Sequence, residues 1–199
     1  MYPSIFVLEN VPGYRKFKSF EYIHKVMRNF YNVGVFTADM QHYGFPQCRN
    51  RLYLVASKKS IADMPSKRSP VGWMSALNQC IADMPLTTFS KNQLDFKGMQ
   101  GMARRYGARK NNNRLYLPDE PSFTIRACSS EHWYQASYIN GEECYAITPS
   151  MLLRLFGDTE LADRFLLPEY KPLAMTCVGN ALSYGMLKLI INSVTGYTV

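Results

Sequence analysis

The fold is decided by the stretch Ser4-Ile5-Phe6-Val7-Leu8-Glu9-Asn10-Val11-Pro12-Gly13. Its opening residues form a largely apolar run, which predicts a strand buried on both faces inside a parallel sheet, with a neighbour on each side. The sequence Asn10-Val11-Pro12-Gly13 then ends the strand. Glu9 and Asn10 are thereby placed at the carboxyl end of a strand, where open α/β sheets bind their ligands.

The following residues complete an α/β pattern. Apolar residues at helical spacing predict an amphipathic helix over residues 19–31, and strands follow over residues 34–38 and 51–56. A Lys-, Ser- and Pro-rich linker covers residues 58–71. Later in the chain we expect a strand over residues 123–127, a helix over residues 149–156 capped by Thr148 with Pro149 at its first position, and a final helix over residues 183–194 after a Gly179-Asn180 turn.

Composition restricts the classes of protein. With 199 residues, of which 47% are hydrophobic, the chain can bury a sizeable core. Its formal net charge of +8 favours a polyanionic partner, nucleic acid first and an anionic membrane surface next. We predict no membrane-spanning segment and a cytoplasmic location, because no stretch reaches the roughly 20 apolar residues required. The five cysteines and three histidines are too scattered for a disulfide framework or a metal site.

A basic segment over residues 98–114 is predicted to be a flexible loop. It contains five Lys and Arg residues and no Asp or Glu, which favours contact with nucleic-acid phosphates over an ordinary solvated surface. The candidate DNA-binding residues are those of this segment together with Arg126 in the next predicted strand, namely Arg104, Arg105, Arg109, Lys110, Arg114 and Arg126.

Four separated segments resemble the DNA cytosine-5 methyltransferase family, in the order that the family uses. The stretch Phe6-Val7-Leu8-Glu9-Asn10-Val11-Pro12-Gly13 is similar to its Glu-Asn-Val motif, and Tyr43-Gly44-Phe45-Pro46-Gln47-Cys48-Arg49-Asn50-Arg51 is similar to its Gln-x-Arg-x-Arg motif. Residues 148–158 resemble the segment that returns to the core after the target-recognition region. Val178-Gly179-Asn180-Ala181 resembles the closing Gly-Asn motif.

The resemblance covers nearly the whole chain and implies a fold. It is an α/β fold with an incomplete S-adenosylmethionine-dependent methyltransferase (Rossmann-like) sheet and a small target-recognition region. Residues 1–57 would form the C-terminal part of the catalytic sheet and residues 72–144 the recognition region. Residues 145–199 would return to the catalytic domain and end in a helix packed on it.

The resemblance also implies a chemistry. In this family a cysteine thiolate adds to C6 of a cytosine that has left the duplex, and C5 then takes the methyl group of S-adenosyl-L-methionine. The addition leaves negative charge at N3, which a carboxyl group can neutralise by donating a proton. Glu9 matches that carboxyl group, and Asn10 matches the residue that shapes the turn presenting it. The alternative for Glu9 is a surface carboxylate at a strand end.

Two arginines and a glutamine match the second motif. Arg49 and Arg51 are separated by one residue on a strand, so both can point to one face and hold the cytosine O2 and a target phosphate. A pair of exposed arginines on an edge strand is the alternative. Gln47 is expected to be structural at the site. Gly179 and Asn180 are expected to line the cofactor pocket, and Asn180 alternatively caps the last helix.

Two motifs of the family are not found among the 199 residues. These are the Phe-x-Gly-x-Gly turn that holds the cofactor and the Pro-Cys-Gln motif that carries the nucleophile. Pro46-Gln47-Cys48 has the same residues in another order inside a different motif, so we expect no nucleophile in this chain. Family members also have strands before the Glu-Asn-Val strand, so residues 4–8 are expected to present an apolar open edge.

Two smaller departures concern the recognition region. Tyr145 stands where the family usually has Arg, and Met151 stands where it usually has Glu, which predicts weaker packing of that region and a weaker capping box.

The leading hypothesis is a split methyltransferase of the restriction-modification kind, acting on duplex DNA. A separate polypeptide would supply the cofactor turn and the Pro-Cys-Gln cysteine, and this chain would supply Glu9, the arginines and the recognition region. Three alternatives stay open: a non-catalytic DNA-binding remnant, a reading frame whose true start lies upstream, and an RNA-directed relative of the transfer-RNA methyltransferase type.

Overall fold

The amino-terminal part of the protein forms the elements that the sequence predicts. In the computed structural model, which describes residues 2–105, 113–127 and 135–198, β1 (Ile5–Asn10) is followed by a 3-10 helix (Pro12–Lys16) and α1 (Lys18–Met27). Strand β2 (Asn32–Asp39), a second 3-10 helix (Met40–Tyr43) and β3 (Asn50–Ser57) complete this part. The predicted order of strand, helix, strand, strand is confirmed.

These strands form one sheet in the order β1-β3-β2, with β3 antiparallel to both neighbours. The prediction that β1 lies inside a parallel sheet is therefore wrong. The connection from β2 to β3 is short, so β3 returns antiparallel to β2, whereas a parallel return needs a longer crossover. Because β3 lies between β1 and β2 in the sheet, β1 also has an antiparallel neighbour. Among the described residues β1 pairs only with β3, so the predicted open edge is confirmed.

Both faces of this sheet are covered by a helix. On one face, Phe20 of α1 packs against Leu52 and Leu54 of β3. On the other face, Met186 and Ile190 of α6 (Tyr184–Thr195) pack in a second cluster. That cluster includes Tyr53 and Val55 of β3. Residues 6–8 of β1 alternate between the two clusters, as expected for a strand with two covered faces.

The segment over residues 58–71 has no helix or strand, as predicted, but it is packed against the sheet unit. Ile61 and Met64 contact the cluster that contains α6, and the Ala62 N–H donates to the Val194 carbonyl at 2.8 Å. This linker is therefore held to the last helix.

The middle of the chain forms a separate antiparallel sheet. Its strands are β4 (Met99–Arg104), β5 (Leu115–Tyr116), β6 (Ala136–Gly141) and β7 (Glu143–Ala146), in the order β5-β4-β6-β7. They follow the short helix α2 (Met74–Leu77) and 3-10 helices over Asn78–Asp83 and Lys91–Phe96. One face contributes Met102 and Tyr138 to the largest core, and the other contributes Ala103 and Ile139 to a smaller one.

Two predictions for this region are wrong. Residues 99–104, expected in a flexible basic loop, are strand β4, because Met102 and Ala103 are fully buried on its two faces. Residues 123–127, expected as a strand, form no ladder. Their polar groups instead bond to the approach to β3, where the Thr124 hydroxyl donates to the Cys48 carbonyl.

The return segment consists of four helices: α3 (Pro149–Arg154), α4 (Thr159–Arg164), α5 (Lys171–Asn180) and α6. The predicted cap is confirmed, because the Thr148 hydroxyl accepts the Met151 N–H at 3.4 Å with Pro149 at the helix start. The prediction of a Gly179-Asn180 turn with Asn180 as a cap is wrong. Asn180 is the last residue of α5, and Ser183 caps α6 by accepting the Met186 N–H at 3.2 Å.

One stretch of the described residues, Lys171–Thr195, passes a test of length and apolar composition for a membrane-spanning helix. It is made of α5 and α6 with a break between them, and residues of both helices lie in the protein cores. Core helices pass the same test, so this stretch is weak evidence for a membrane span.

Candidate active site

Glu9 and Arg51 form an ion pair at the carboxyl end of β1. Arg51 Nε lies 2.8 Å from Glu9 Oε1, and the two side chains are 14% and 19% exposed, respectively. The pairing of β1 with β3 brings them together, since Glu9 stands opposite Tyr53 and Arg51 is two residues before it on the same face of the strand. A partly buried ion pair beside a strand end is suited to hold a polar planar ligand.

Arg49 has a different environment from the one expected. Its side chain is 2% exposed, and its guanidinium donates to the carbonyls of Ile125 at 3.0 Å and Ala181 at 2.9 Å, with a longer contact to Gly179 at 3.5 Å. It also lies over the Phe156 ring, 5.0 Å from its centroid. Burial and then the neighbouring Arg51 lower the pKa of Arg49 to about 10. Arg49 thus joins the start of β3 to two segments that are distant in sequence.

Asn10 directly follows Glu9, and Gln47 comes two residues before Arg49. The Asn10 side chain accepts the Val11 N–H at 2.8 Å, a local bond that fixes the turn after Glu9. Gln47 is fully buried and forms a parallel bridge with Ser122. In the part of the chain that the structure describes, neither polar atom of the Gln47 side chain has a hydrogen-bond partner.

Three residues that the sequence analysis missed support the site. Asp39 Oδ1 accepts the Arg49 N–H at 2.9 Å and thereby fixes the entry to β3. Tyr53 is buried opposite Glu9, and burial followed by the Glu9 charge raises its pKa, which keeps the phenol protonated. Its position two residues after Arg51 was a detectable signal. Phe156 under Arg49 had none, because the contact spans more than 100 residues.

The two expected cofactor residues differ in accessibility. Gly179 is buried against the backbone of the segment before residue 128, and a Cβ built on it would lie 1.8 Å from the Ala127 nitrogen. Asn180 is exposed at the end of α5. Immediately after it, an apolar cavity of about 240 Å³ is lined by Phe156, Leu161, Phe165, Ala181, Leu182 and Tyr184. Arg49 contacts Phe156 and Ala181, so this cavity borders the site.

The candidate DNA-binding arginines are divided between surface and interior. Arg105 is 4% exposed and donates to the Thr88 carbonyl at 2.6 Å and the Ser137 hydroxyl at 3.1 Å. The expectation that it contacts phosphate is therefore wrong, because its guanidinium is bound inside the protein. Arg109 and Lys110 lie outside the described residues.

Three of these arginines remain on or near the surface. Arg104 lies over the Phe123 ring at 4.2 Å, and burial lowers its pKa, with nearby Arg126 contributing. Arg114 lies over the Tyr116 ring at 4.2 Å and 3.5 Å from Glu120. Arg126 is exposed.

A further arginine that the sequence analysis left out holds the return segment in place. Arg154 is buried, donates to the Ala76 carbonyl at 2.8 Å and to Gln79 at 3.2 Å, and pairs with Asp163. It connects α3 to α2 and to the 3-10 helix over Asn78–Asp83. No group of three or more His, Cys, Asp or Glu that could hold a metal occurs within residues 2–105, 113–127 and 135–198.

Comparison with known proteins identifies the family. The family model described as C-5 cytosine-specific DNA methylase matches residues 1–196. The chain therefore belongs to the C-5 cytosine-specific DNA methylase family, as the motifs predict.

A curated relative and two solved structures agree with this. The type II methyltransferase M.MthTI of Methanothermobacter thermautotrophicus is 27% identical over 137 residues, which cover 63% of this chain and 42% of that protein. A prophage-encoded E. coli protein described as a DNA modification methyltransferase has a TM-score of 0.58 at 16% identity, covering 95% of this chain and 68% of its own. The Entamoeba histolytica methyltransferase EhMeth has a TM-score of 0.53 at 12% identity, covering 96% and 63%. At these identities the structures show the fold, an incomplete Rossmann-like methyltransferase.

Proposed function

We propose that this chain is the second half of a DNA cytosine-5 methyltransferase, which transfers a methyl group from S-adenosyl-L-methionine to C5 of cytosine in duplex DNA. The observation that carries the proposal is the ion pair between Glu9 and Arg51 at the end of β1, in a chain of this family. Residues 1–57 and 145–199 contribute to the catalytic domain, and residues 72–144 recognise the target.

Arg51 and Glu9 are proposed to hold two neighbouring atoms of the cytosine ring edge, O2 and N3. Arg51 uses Nε for Glu9 and Nη1 for the Asn50 carbonyl at 2.9 Å, so among the described residues Nη2 is the donor without a contact. It can donate to the cytosine O2. When a thiolate forms its bond to C6, the electron pair of the C5–C6 double bond becomes available at C5. Charge that would build up at N3 is neutralised by a proton from the Glu9 carboxyl group, which takes up that proton from solvent and exchanges its ion pair with Arg51 for a hydrogen bond to N3 when the base binds.

Arg49 is proposed to be a positioning residue. Its guanidinium is bound to backbone carbonyls and lies over Phe156, so it cannot also reach a phosphate without leaving these partners. Its role is to keep Arg51 and the α5–α6 connection in register. Gln47, buried two residues before it, supports the same entry to β3.

S-adenosyl-L-methionine, when bound, supplies the electrophilic methyl group. On this chain Asn180 is the residue proposed to contact it, because it is exposed beside the apolar cavity. Gly179 does not fit a direct contact, since the backbone of residues 126–127 occupies the space above it. Most of the cofactor site must then come from other polypeptide.

A complementary half is proposed to complete the enzyme. A separate polypeptide carrying the Pro-Cys-Gln motif and the cofactor turn would add a strand at the open edge of β1 and cover the cavity beside Asn180. Duplex DNA would lie against Arg104, Arg114 and Arg126. The description of the curated relative as a type II methyltransferase supports a restriction-modification role. We propose the cytoplasm as its site of action.

Reconstitution tests this proposal. The chain is co-expressed with a candidate first half, and complex formation and transfer of a tritiated methyl group to DNA are measured. Glu9→Gln should lower transfer by about 10²- to 10⁴-fold, the range for loss of a general acid. Glu169→Gln, at an exposed position, is the matched control and should keep full transfer. The proposal is contradicted if no candidate first half forms a complex with the chain and none restores methylation.

A non-catalytic DNA-binding module is the second candidate. The observation in its favour is that the sheet β5-β4-β6-β7 of the proposed recognition region, here called the recognition sheet, has a core on each face. Such a module would bind duplex DNA equally well with and without S-adenosyl-L-methionine, and Glu9→Gln would leave its only activity unchanged.

A further inference from the structure

Most of the net positive charge of this protein lies outside the region that is proposed to recognise the target. Residues 1–71 contain 11 of the 23 Lys and Arg but only four of the 15 Asp and Glu, a net charge of +7. Residues 72–199 contain 12 and 11, a net charge of +1. Attraction to a polyanion therefore comes mainly from the catalytic sheet unit and the linker after it.

Within this part, five basic side chains form what we call the basic face. It comprises Arg15 and Lys16 of the first 3-10 helix, Lys18 and Lys25 of α1, and Arg28 directly after it. All five are exposed. In the part of the chain that the structure describes, none of them forms a salt bridge, and Glu21 is the only acidic residue in residues 12–31.

Helical geometry aligns these charges. Lys18, Lys25 and Arg28 are spaced by seven and three residues, so they lie along one side of α1 and its C-cap, together with Tyr22. The opposite side carries Phe20 and Ile23, which pack on β3. Tyr22, on the outward side, is 70% exposed, and Phe17 just before the helix is 61% exposed. The surface thus combines unpaired cations with exposed aromatic rings.

We propose that the basic face is an accessory contact for the phosphate backbone of nucleic acid, separate from the target base and the recognition sheet. Spaced guanidinium and ammonium groups bind phosphates without reading bases, and exposed rings stack on unpaired bases. An anionic membrane fits less well, because a helix lying on a membrane buries its apolar side, and the apolar side of α1 is occupied by β3. The contact raises affinity for DNA of any sequence.

Salt-dependent binding by the full chain tests this directly. Binding to a fluorescent 30-base-pair duplex is measured between 50 and 300 mM KCl for Lys18→Gln/Lys25→Gln/Arg28→Gln and for the matched control Arg164→Gln/Lys171→Gln/Lys188→Gln. Each set removes two Lys and one Arg at exposed positions. With three phosphate contacts, the slope of log K against log salt should fall by about 2.7 and affinity at 0.1 M salt by up to about 500-fold.

The control set should change the slope by much less. A basic-face variant that binds like wild type, or no worse than the control, overturns the proposal. The proposal is also overturned if the chain binds phosphatidylserine vesicles more tightly than DNA and only the basic-face variant loses this vesicle binding. A single-stranded oligonucleotide distinguishes the source of the phosphates, because Tyr22→Ala should weaken its binding more than that of the duplex. The assay needs neither cofactor nor first half, so its result is independent of the methyltransferase proposal.

Discussion

Replacing Arg49 by Ala should destabilise the protein substantially, because its guanidinium joins three segments. Two short hydrogen bonds, to Ile125 at 3.0 Å and Ala181 at 2.9 Å, would be lost. Bonds to a charged group stabilise by about 1.5–3 kcal/mol each, which gives a loss of about 3–6 kcal/mol. The unfavourable burial of the charge, which lowers the pKa of Arg49 to about 10, is also removed and offsets part of this. We therefore expect a loss of about 3 kcal/mol.

Urea unfolding followed by circular dichroism measures this difference. Arg49→Lys keeps the charge but replaces Nη1 and Nη2, which reach the two carbonyls separately, by a single nitrogen, so its stability should fall between those of wild type and Arg49→Ala. Arg164→Ala is the control, since its side chain is 75% exposed and its ion pair with Glu160 is worth less than about 1 kcal/mol. An Arg49→Ala variant within about 0.5 kcal/mol of wild type would refute the reasoning, because unpaired buried carbonyls must cost more than that.

Three other predictions follow from local geometry. Gly179→Ala should lower the free energy of unfolding by at least about 2 kcal/mol in urea, since a Cβ would lie 1.8 Å from the Ala127 nitrogen; an unchanged midpoint would contradict this packing. Cys48 should react with a disulfide reagent more slowly than exposed Cys177, because burial raises the pKa of Cys48 and reduces its thiolate fraction, and mass spectrometry should show the gap narrowing as pH rises. Ser183→Ala should cost about 1 kcal/mol of stability through loss of the α6 cap, whereas no change in the urea midpoint would show that the cap is unimportant.

The elements with a strong local pattern could be predicted from the sequence. The run of apolar residues in β1, the helical spacing in α1 and the Thr148-Pro149 start of α3 were each found correctly. Their signals arise within a few residues, so they do not depend on distant contacts. The open edge of β1 was also predicted, from the motif order of the family.

The errors arise where distant contacts override the local pattern. Residues 123–127 alternate like a strand, but their polar groups bond to Cys48 and Arg49 and form no ladder. Gly179-Asn180 has the composition of a turn, yet α5 continues through both residues. A glycine is needed at position 179 for close packing against Ala127, and not for a turn.

For the candidate site, the sequence did not show which arginines are buried and which are exposed. Arg49 was expected to hold the target and Arg105 to contact phosphate, but both are buried with acceptors 12 to 132 residues away in sequence. A basic residue gives no local sign that distant carbonyls will surround it. The pairing of Glu9 with Arg51 was within reach, because both residues lie in motifs that resemble one family.

Covalent trapping on duplex DNA that contains 5-fluorocytosine, in the presence of S-adenosyl-L-methionine, tests the central claim most directly. The chain is assayed alone and together with a candidate first half that carries the Pro-Cys-Gln motif. A split methyltransferase predicts an adduct only when both are present, with the DNA attached to the first half and the yield strongly reduced by Arg51→Ala. An adduct formed by this chain alone would contradict the claim that the nucleophile comes from another polypeptide. The absence of an adduct under both conditions would contradict a catalytic role.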